Sequence, residues 1–463
     1  MEKLLEDVVR VAGGWIEARY QERRSLLLSS RNGHFEQCSS GRARGIGVRA
    51  LSGGALGFSS TTDLSEKGLR QALASAQMLA AATREGKSHP VKLAPARPVR
   101  GTFPVDTVDR LDAHPLEEKI ALVSRLDEQV RRASPKIVSS SVIYAETIDE
   151  RIVATSEGTV VRVLDSKPSL RVLAVAGSAG EQFVGLQTVG VTGGWAELHA
   201  RRHPDELVVE AVRIAIAQLA APHTAGGLAT VVLDPDLVGT LCHEAIGHTV
   251  EADIVLGGAV TADKIGHRVA SELVTLCDSG LPLRGGHAVG LLPVDDEGVE
   301  AGRTVLVERG ILRSYLHNRE SAAHYGVTPT GNARAYQYSD EPIIRMTNTY
   351  IEPGETPVAD LFEGIDDGYY LRGFAMSGQA DSNAEFMFGV REAFRIKRGR
   401  VGSMVRGVTI SGNAFDVLLS VDAVGDDFSW ENGAGICGKG QPAKVDAGGP
   451  HIRCRLTLGG RQL

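Results

Sequence analysis

The sequence predicts an α+β fold that is rich in antiparallel sheet, and three observations support this. Glycine accounts for 54 of the 463 residues, and aromatic residues make up only 5%. Many short segments alternate between apolar and polar residues, which together with the glycines is typical of strands joined by turns and bulges. A few longer segments instead carry apolar residues at helical spacing. At about 150 residues per domain, the length suggests two or three domains.

The first elements are a helix, two strands with a hairpin, and a second helix. Helical periodicity runs from residue 2 to about residue 20, and again over residues 64–83, which are rich in Ala and Leu. Between these helices we expect strands, with a hairpin turn at the glycines 53–54, over residues 25–29, 45–51 and 56–58.

The next elements lead to a predicted domain boundary. From residue 86 to about residue 107 the chain is rich in Pro, Lys and Arg and lacks periodicity, so we expect an irregular connection. Residues 137–193 alternate like an antiparallel meander, and a helix follows over 205–221. A buried strand is expected at 228–235. Because prolines and glycines separate these last two elements, we divide the chain into domains of residues 1–225 and 226–463.

Composition excludes several classes of protein. The formal net charge is −7, so the chain lacks the basic surface that drives binding to nucleic acid or to anionic lipid, and we expect no direct nucleic-acid binding. No run reaches about 18 apolar residues, so no membrane span is expected. The first residues mix acids into an amphipathic start without a targeting pattern, which favours the cytoplasm. Five cysteines are too few for a disulfide framework and fit reduced thiols.

One motif carries most of the chemical information, His243-Glu244-Ala245-Ile246-Gly247-His248, within a segment of helical character. Neutral imidazoles bind Zn²⁺, and a carboxylate beside the first ligand can accept a proton from water. In the familiar zinc-hydrolase motif the histidines are four residues apart and share one helix face. Here they are five apart, which would place them about 140° out of line on a regular helix.

Two local distortions would bring these imidazoles together. A single π-type turn, of the kind found at functional sites, would do so. Alternatively, the helix could loosen at Gly247, since glycine tolerates irregular backbone conformations. Without either distortion, the motif would hold two unrelated surface or core histidines.

A catalytic zinc site also needs a third protein ligand and an open position. The candidates near the motif are Cys242, Glu251 and Asp253, and the distant ones are His267, His287, His324, Cys437 and Cys454. Cys437 lies in a glycine-dense loop, residues 433–440, in which Lys439 would favour a thiolate. The cysteines whose context is more typical of buried thiols are Cys242, Cys277 and Cys454. The acidic pair Asp295-Asp296 could bind a cation, but we expect it to form a charged turn.

Taken together, these segments resemble the TldD/PmbA metalloprotease family, also described as modulators of DNA gyrase. The resemblance spans essentially the whole chain, and its segments in chain order are 44–50, 243–248 with Glu251 and Asp253, 295–298, 328–332, 345–350, 435–439 and 458–460. Because the zinc motif is intact, the chain is more similar to the TldD-like catalytic branch than to the PmbA-like (TldE) branch, which lacks that motif.

The resemblance implies zinc held by His243, His248 and Cys437, with Glu244 as the catalytic base. Cys454 is not assigned as a zinc ligand, because it lies outside the Cys-Gly-Lys context. The implied architecture is an N-terminal α/β domain with an antiparallel sheet and flanking helices, joined to a C-terminal β-rich domain with a metal-binding helix. The further candidates for substrate or oxyanion contacts are Asn332, Arg334 and Lys439.

The implied activity is zinc-dependent hydrolysis of peptide bonds in extended, unfolded or small peptide-like substrates. The segment 333–335 is Ala-Arg-Ala where the family has Gly-Arg-Arg, so a specialised amide hydrolase of a small-molecule conjugate in a biosynthetic pathway remains an alternative. A second alternative is a non-catalytic protein that modulates a partner protein. The family also implies a homodimer, or a heterodimer with a zinc-free relative.

Overall fold

The protein combines helices and sheets in an α+β fold, which a computed structural model describes for residues 1–84, 90–178, 180–282, 287–380, 383–430 and 435–460, with the backbone alone for 376–380. Its α-helices are α1 (Glu2–Val11), α2 (Glu66–Thr83), α3 (Leu116–Arg132), α4 (Trp195–Arg201), α5 (Pro204–Ala220), α6 (Pro235–Thr240), α7 (Ala252–Leu256), α8 (Arg319–Tyr325) and α9 (Ala414–Leu419). A π helix spans Leu241–Gly247, and 3₁₀ turns span Leu111–Ala113, His248–Val250 and Val358–Phe362. No helix among the described residues is long and apolar enough to cross a membrane.

A largely antiparallel sheet organises the first half of the chain. Its strands are β1 (Trp15–Arg31), β2 (His34–Ser52), β3 (Ala55–Thr61), β4 (Arg100–Phe103), β5 (Ile137–Thr155), β6 (Val160–Ser178) and β7 (Glu181–Gly190). They lie in the order β3-β2-β1-β5-β6-β4, with β7 also paired to β6. β4 pairs with β6 in parallel, whereas the other pairings are antiparallel.

The two faces of this sheet have different neighbours, because successive side chains of a strand point to opposite faces. Apolar residues of one face, such as Ile16 and Leu28 of β1, pack against α1 and α2 at one end and against α3 and α5 at the other. On β1, the polar residues Glu17, Arg19 and Gln21 alternate with the apolar set and are buried as well. This second face lies against the C-terminal half of the chain, since Arg19 and Gln21 donate to backbone carbonyls of residues 340 and 336.

The first predicted helix is wrong in extent. It ends at Val11, and residues 15–20 instead begin β1. Gly13 and Gly14 interrupt the helix, and the alternating sequence that follows suits a strand. The strands predicted over 25–29 and 45–51 are parts of the much longer β1 and β2.

Other predicted elements are present close to their expected positions. The second helix is α2, the meander is β5 to β7, and the helix over 205–221 is α5. The predicted irregular connection contains the short strand β4, and its residues 86–89 lie outside the described part of the chain.

The second half of the chain is dominated by short strands. They are β8 (Gly227–Leu233), β9 (Leu276–Ser279), β10 (Arg303–Glu308), β11 (Ile311–Leu312), β12 (Ala333–Arg334), β13 (Ile343–Ile344), β14 (Asn348–Ile351), β15 (Asp367–Ala380), β16 (Glu385–Lys397), β17 (Arg400–Val405), β18 (Thr409–Asn413), β19 (Ala423–Val424), β20 (Ser429–Trp430), β21 (Ile436–Gly438), β22 (Pro442–Lys444), β23 (Asp446–Gly449) and β24 (Ile452–Gly459). The predicted strand over 228–235 corresponds to β8.

A closed ring of strands holds the core of this half. β15 pairs with β8, β8 with β24, β24 with β18, β18 with β16, and β16 with β15 again. A second sheet has the order β11-β10-β9-β14-β23-β20, and β21 and β22 form a separate hairpin. The π helix contributes Leu241, Cys242 and Ile246 to the same apolar core as the ring strands. The helical segment that carries the histidine motif is therefore fixed from one side by buried apolar residues.

Candidate metal centre

The π helix brings the two motif histidines together. The segment predicted as one helix over 236–253 consists of α6, the π helix, a 3₁₀ turn and α7. In a π helix the hydrogen bonds join residues five apart, so side chains at that spacing share a face. The rings of His243 and His248 accordingly lie with their centroids 5.3 Å apart, at 79° to one another. The structure thus adopts the first of the two distortions that the spacing allows.

Gly247 has a steric role at this turn. Its backbone is ordinary helix, with φ −54° and ψ −46°, so the second distortion is not used. A Cβ atom at this position would lie 2.0 Å from Sδ of Met346 and 3.1 Å from the carbonyl oxygen of Cys242. Glycine is required here because another part of the core packs directly against the backbone.

Cys437 approaches the histidines from the β21–β22 hairpin. Its Sγ lies 3.1 Å from Nε2 of His248. One ligand atom from each of His243, His248 and Cys437 can be chosen so that all three lie within 4.8 Å of one another. Zinc bonds of about 2.0–2.3 Å to nitrogen and sulfur are compatible with this spacing. Residues 433–434 of the predicted glycine-dense loop lie outside the described residues.

The donor set fits a bound metal ion. His243 is buried, and neither of its ring nitrogens has a hydrogen-bond partner among the described residues. Buried polar atoms of this kind are rare unless an ion or water completes them. Nδ1 of His248 lies 2.7 Å from Oε2 of Glu251. Because a carboxylate only accepts, the Nδ1 proton stays there and Nε2 is left as the ligand atom.

The charges around the sulfur favour a thiolate. Burial raises the pKa of the Cys437 thiol, but the two adjacent histidines outweigh this and lower it to about 4. Lys439, which the sequence suggested as the stabilising cation, instead lies 3.2 Å from Glu251 and 2.7 Å from Asp253 through its Nζ. The lysine therefore acts on the carboxylate that orients His248, and the imidazoles are the main source of the thiolate.

Glu244 stands apart from these internal contacts. It follows His243 directly and is half-buried. Its carboxylate makes no hydrogen bond or ion pair with the residues that the structure describes. Burial lowers the pKa of His243, but Cys437 and, to a smaller extent, the charge of Glu244 outweigh this and raise it. Such a carboxylate is available to accept a proton from a molecule in the site.

The remaining predicted ligands lie elsewhere. Within the described ranges, the one grouping of three potential metal ligands is His243, His248 and Cys437, so His267, His287 and His324 do not join it. Cys242, Cys277 and Cys454 are fully buried, and burial raises the pKa of each thiol. They are core thiols, as expected from their context.

The predicted substrate contacts differ in how they are engaged. Asn332 is buried, and its Nδ2 donates to Asp278 and to the carbonyl of Arg345 at 2.9 and 3.0 Å. Arg334 donates to the carbonyls of Met346 and Lys444 and lines a cavity next to the hairpin of Cys437.

Sequence reasoning missed Arg345 and mistook the environment of the acidic turn. Arg345 is fully buried, and its Nη2 donates to the carbonyl of Cys437 at 2.8 Å. Its presence in a segment that matches the family was the only signal. The turn at Asp295-Asp296 is present, but both carboxylates are buried, and Asp296 lies 3.2 Å from Arg151 of β5.

Family models and relatives of known proteins match this chain over most of its length. Residues 226–460 match the PmbA/TldA metallopeptidase C-terminal domain, residues 16–80 match domain 1 of that family, and residues 109–219 match its central domain. A metalloprotease of Methanothermobacter thermautotrophicus is 37% identical over 466 residues, which cover 98% of this chain and 96% of the relative.

Two further proteins extend the comparison. A zinc metalloprotease TldD homolog of Saccharolobus solfataricus is 33% identical over 346 residues, 74% of this chain and 76% of its own. The solved structure of TldE from Thermococcus kodakarensis has a TM-score of 0.77 at 17% identity, and the match covers 99% of this chain and 100% of that one. This last likeness concerns the fold. On the sequence matches, the chain belongs to the PmbA/TldA metallopeptidase family, the TldD/PmbA family that its motifs indicated.

Proposed function

We propose that this protein is a TldD-like zinc peptidase that hydrolyses peptide bonds in extended, unfolded or small peptide-like substrates. The observation that carries the proposal is the convergence of ligand atoms of His243, His248 and Cys437 within 4.8 Å, with Glu244 directly after His243 in the sequence. The relatives named metalloproteases, one of them a zinc metalloprotease, support the same function.

The ligand set suits a hydrolytic centre. Two neutral imidazoles and one thiolate would hold zinc through Nε2 of His248, a ring nitrogen of His243 and Sγ of Cys437, which leaves a position open. Zinc in such a site supplies Lewis-acid chemistry, since it polarises a carbonyl group and activates water. Glu251 holds the ring of His248 in place, and Lys439 neutralises the Glu251 carboxylate.

Glu244 supplies the proton transfers. Its carboxylate accepts a proton from the water that attacks the carbonyl carbon of the substrate. It then gives that proton to the nitrogen of the leaving amine as the C–N bond breaks. Its lack of a partner among the described residues leaves its oxygens available for both transfers.

We further propose the setting in which this activity occurs. The protein works in the cytoplasm as a homodimer, or as a heterodimer with a zinc-free relative. Domains of residues 1–225 and 226–463 supply the substrate cleft and the metal centre, respectively. The first sheet ends at Gly190 and the strand ring begins at Gly227, which supports a boundary in the intervening segment.

Replacing the base tests the proposal. We expect Glu244→Gln to lower the rate of hydrolysis of an unfolded peptide by about 10²–10⁴-fold, because a positioned general base contributes that much. Zinc content, measured by elemental analysis, should stay unchanged. Glu272→Gln, at an exposed glutamate, is the matched control and should keep full activity. Activity that survives in Glu244→Gln with normal zinc would contradict the role of the base. A wild-type protein inactive as both homodimer and heterodimer would contradict the peptidase.

A further inference from the structure

A cavity of about 460 Å³ lies next to the hairpin that carries Cys437. One wall comes from β1, β2, β5 and β6 of the N-terminal sheet, and the other from β12 and the β21–β22 hairpin. Ile436 and Ala443 belong to this second wall. Ile436 is the chain neighbour of Cys437, and Ala443 is its cross-strand partner. The cavity therefore lies against the hairpin that contributes Cys437 to the candidate metal centre.

Cationic side chains dominate the lining of this cavity. They are Arg23, Arg151, Lys167, Arg334, Arg345 and Lys444.

The carboxylates that line the cavity already form ion pairs. Asp149 pairs with Arg23 at 2.6 Å, Asp165 with Lys167 at 3.2 Å, and Glu146 with Lys119, which lies outside the cavity, at 2.8 Å. Arg151 is paired with Asp296 at 3.2 Å. Carboxylates thus neutralise only some of these cationic side chains.

Three cations, Arg334, Arg345 and Lys444, form no salt bridge with the described residues. Arg334 and Arg345 donate to backbone carbonyls only. Arg345 is 1% exposed, and its Nε has no hydrogen-bond partner in the described part of the chain. Nζ of Lys444 makes no hydrogen bond or ion pair in that part of the chain, although its backbone carbonyl accepts from Arg334. Burial, Lys167 and Arg171 together lower the pKa of Lys444 to about 8.

The positive charges of Arg334, Arg345 and Lys444 would be complemented by an anionic ligand. Buried positive charge is costly unless an anion or several acceptors compensate it. A carboxylate matches the planar guanidinium group and accepts charge-assisted hydrogen bonds from both arginine and lysine. The same cavity has apolar surface at Leu26, Ala145 and Pro442, which suits an apolar group beside the anion. A peptide offers this combination at its C-terminus or at an acidic side chain.

We propose that this cavity is a subsite for a carboxylate of the substrate, bound by Arg334, Arg345 and Lys444. The inference rests on the proposed peptidase function for the identity of the ligand, but it concerns binding and can be tested separately from hydrolysis. It makes these three residues determinants of substrate specificity.

Calorimetric titration of the full-length, zinc-loaded Glu244→Gln protein tests the subsite. The probes are the tripeptide N-acetyl-Leu-Ala-Leu as free acid, the same peptide as C-terminal amide, and N-acetyl-Leu-Glu-Leu as amide. We expect the free acid to bind about tenfold more tightly than the first amide, since charge-assisted hydrogen bonds are roughly twice as strong as neutral ones. A tenfold preference for the glutamyl amide instead would assign the subsite to an acidic side chain.

Variants of Lys444 separate charge recognition from folding. Lys444→Met should reduce the preference for the carboxylate to less than twofold, and Lys444→Arg should retain it. Lys136→Met, at an exposed lysine outside the cavity, is the matched control and should also retain it. Equal binding of all three probes, or an unchanged preference in Lys444→Met, would overturn the proposal. Inorganic phosphate is a further probe, and we expect it to displace none of the bound peptide. Phosphate that binds more tightly than the free-acid peptide would also overturn the proposal.

The two proposals fail in different ways. Preferential carboxylate binding without hydrolysis by the wild-type protein would support the subsite and contradict the peptidase. Hydrolysis of the free acid and the amide at equal rates, with equal binding, would support the peptidase and contradict the subsite.

Discussion

At the scale of single residues, the structure separates two cysteines that lie in the same half of the chain. Sγ of Cys437 faces the imidazoles at the candidate metal centre, whereas Cys454 is buried in β24 among apolar residues. We expect wild-type protein to contain about one zinc ion per chain. Cys437→Ala should lose most of it, and Cys454→Ala should keep it, as measured by elemental analysis of dialysed protein. The reverse result would show that the ligand is wrongly assigned.

Glu251 controls the same centre without joining it. Its Oε2 lies 2.7 Å from Nδ1 of His248, and Lys439 balances its charge. Because such partners orient a ligand and raise its basicity, we expect Glu251→Gln to weaken zinc binding by about 10–100-fold. Competition with a chromogenic chelator measures this. Asp253→Asn removes a neighbour of Lys439 that does not contact His248, so it should have a much smaller effect. Equal losses in both variants would contradict an orienting role.

At the scale of elements, the π helix makes five-residue spacing suitable for a metal site. That geometry depends on the direct contact between the Gly247 backbone and Met346, which is buried. We expect Gly247→Ala to lower the free energy of unfolding by about 1–3 kcal/mol, as overpacking does. Zinc content should fall as well, because the added methyl group displaces the turn between the histidines.

A second glycine provides the control for this substitution. A Cβ at Gly302 would meet nothing within 4 Å. Gly302→Ala should therefore stay within about 0.5 kcal/mol of wild type. Urea unfolding and elemental analysis of both variants measure the difference. A Gly247→Ala protein with normal stability and normal zinc would show that the turn tolerates displacement.

The local sequence pattern predicted helices α2 and α5 close to their observed positions. It failed at residues 12–20, where a helical pattern continued across Gly13 and Gly14 into a strand. In the motif, the spacing indicated that a distortion was needed. It could not select between a π turn and loosening at Gly247, because Met346, which requires a glycine there, is distant in sequence.

At the scale of the whole molecule, buried ion pairs connect the N-terminal sheet to the C-terminal half. Arg49 of β2 lies 2.6 Å from Glu17 of β1 and 2.9 Å from Glu297 in the acidic turn. All three side chains are buried. Nothing in the sequence pattern indicated this contact, since a charged turn ordinarily lies in solvent and Arg49 is 248 residues away from Glu297.

Removing Arg49 tests how much this connection contributes. Arg49→Met leaves the buried carboxylate of Glu297 without its ionic partner, so we expect the free energy of unfolding to fall by about 3–5 kcal/mol. The double variant Arg49→Met/Glu297→Gln should be more stable than Arg49→Met alone, because the uncompensated charge is gone. Arg395→Met, which breaks an exposed pair with Asp367, should cost about 1 kcal/mol or less. Urea unfolding measures all three. If Arg49→Met and Arg395→Met had equal effects, the buried pairs would not hold the two halves together.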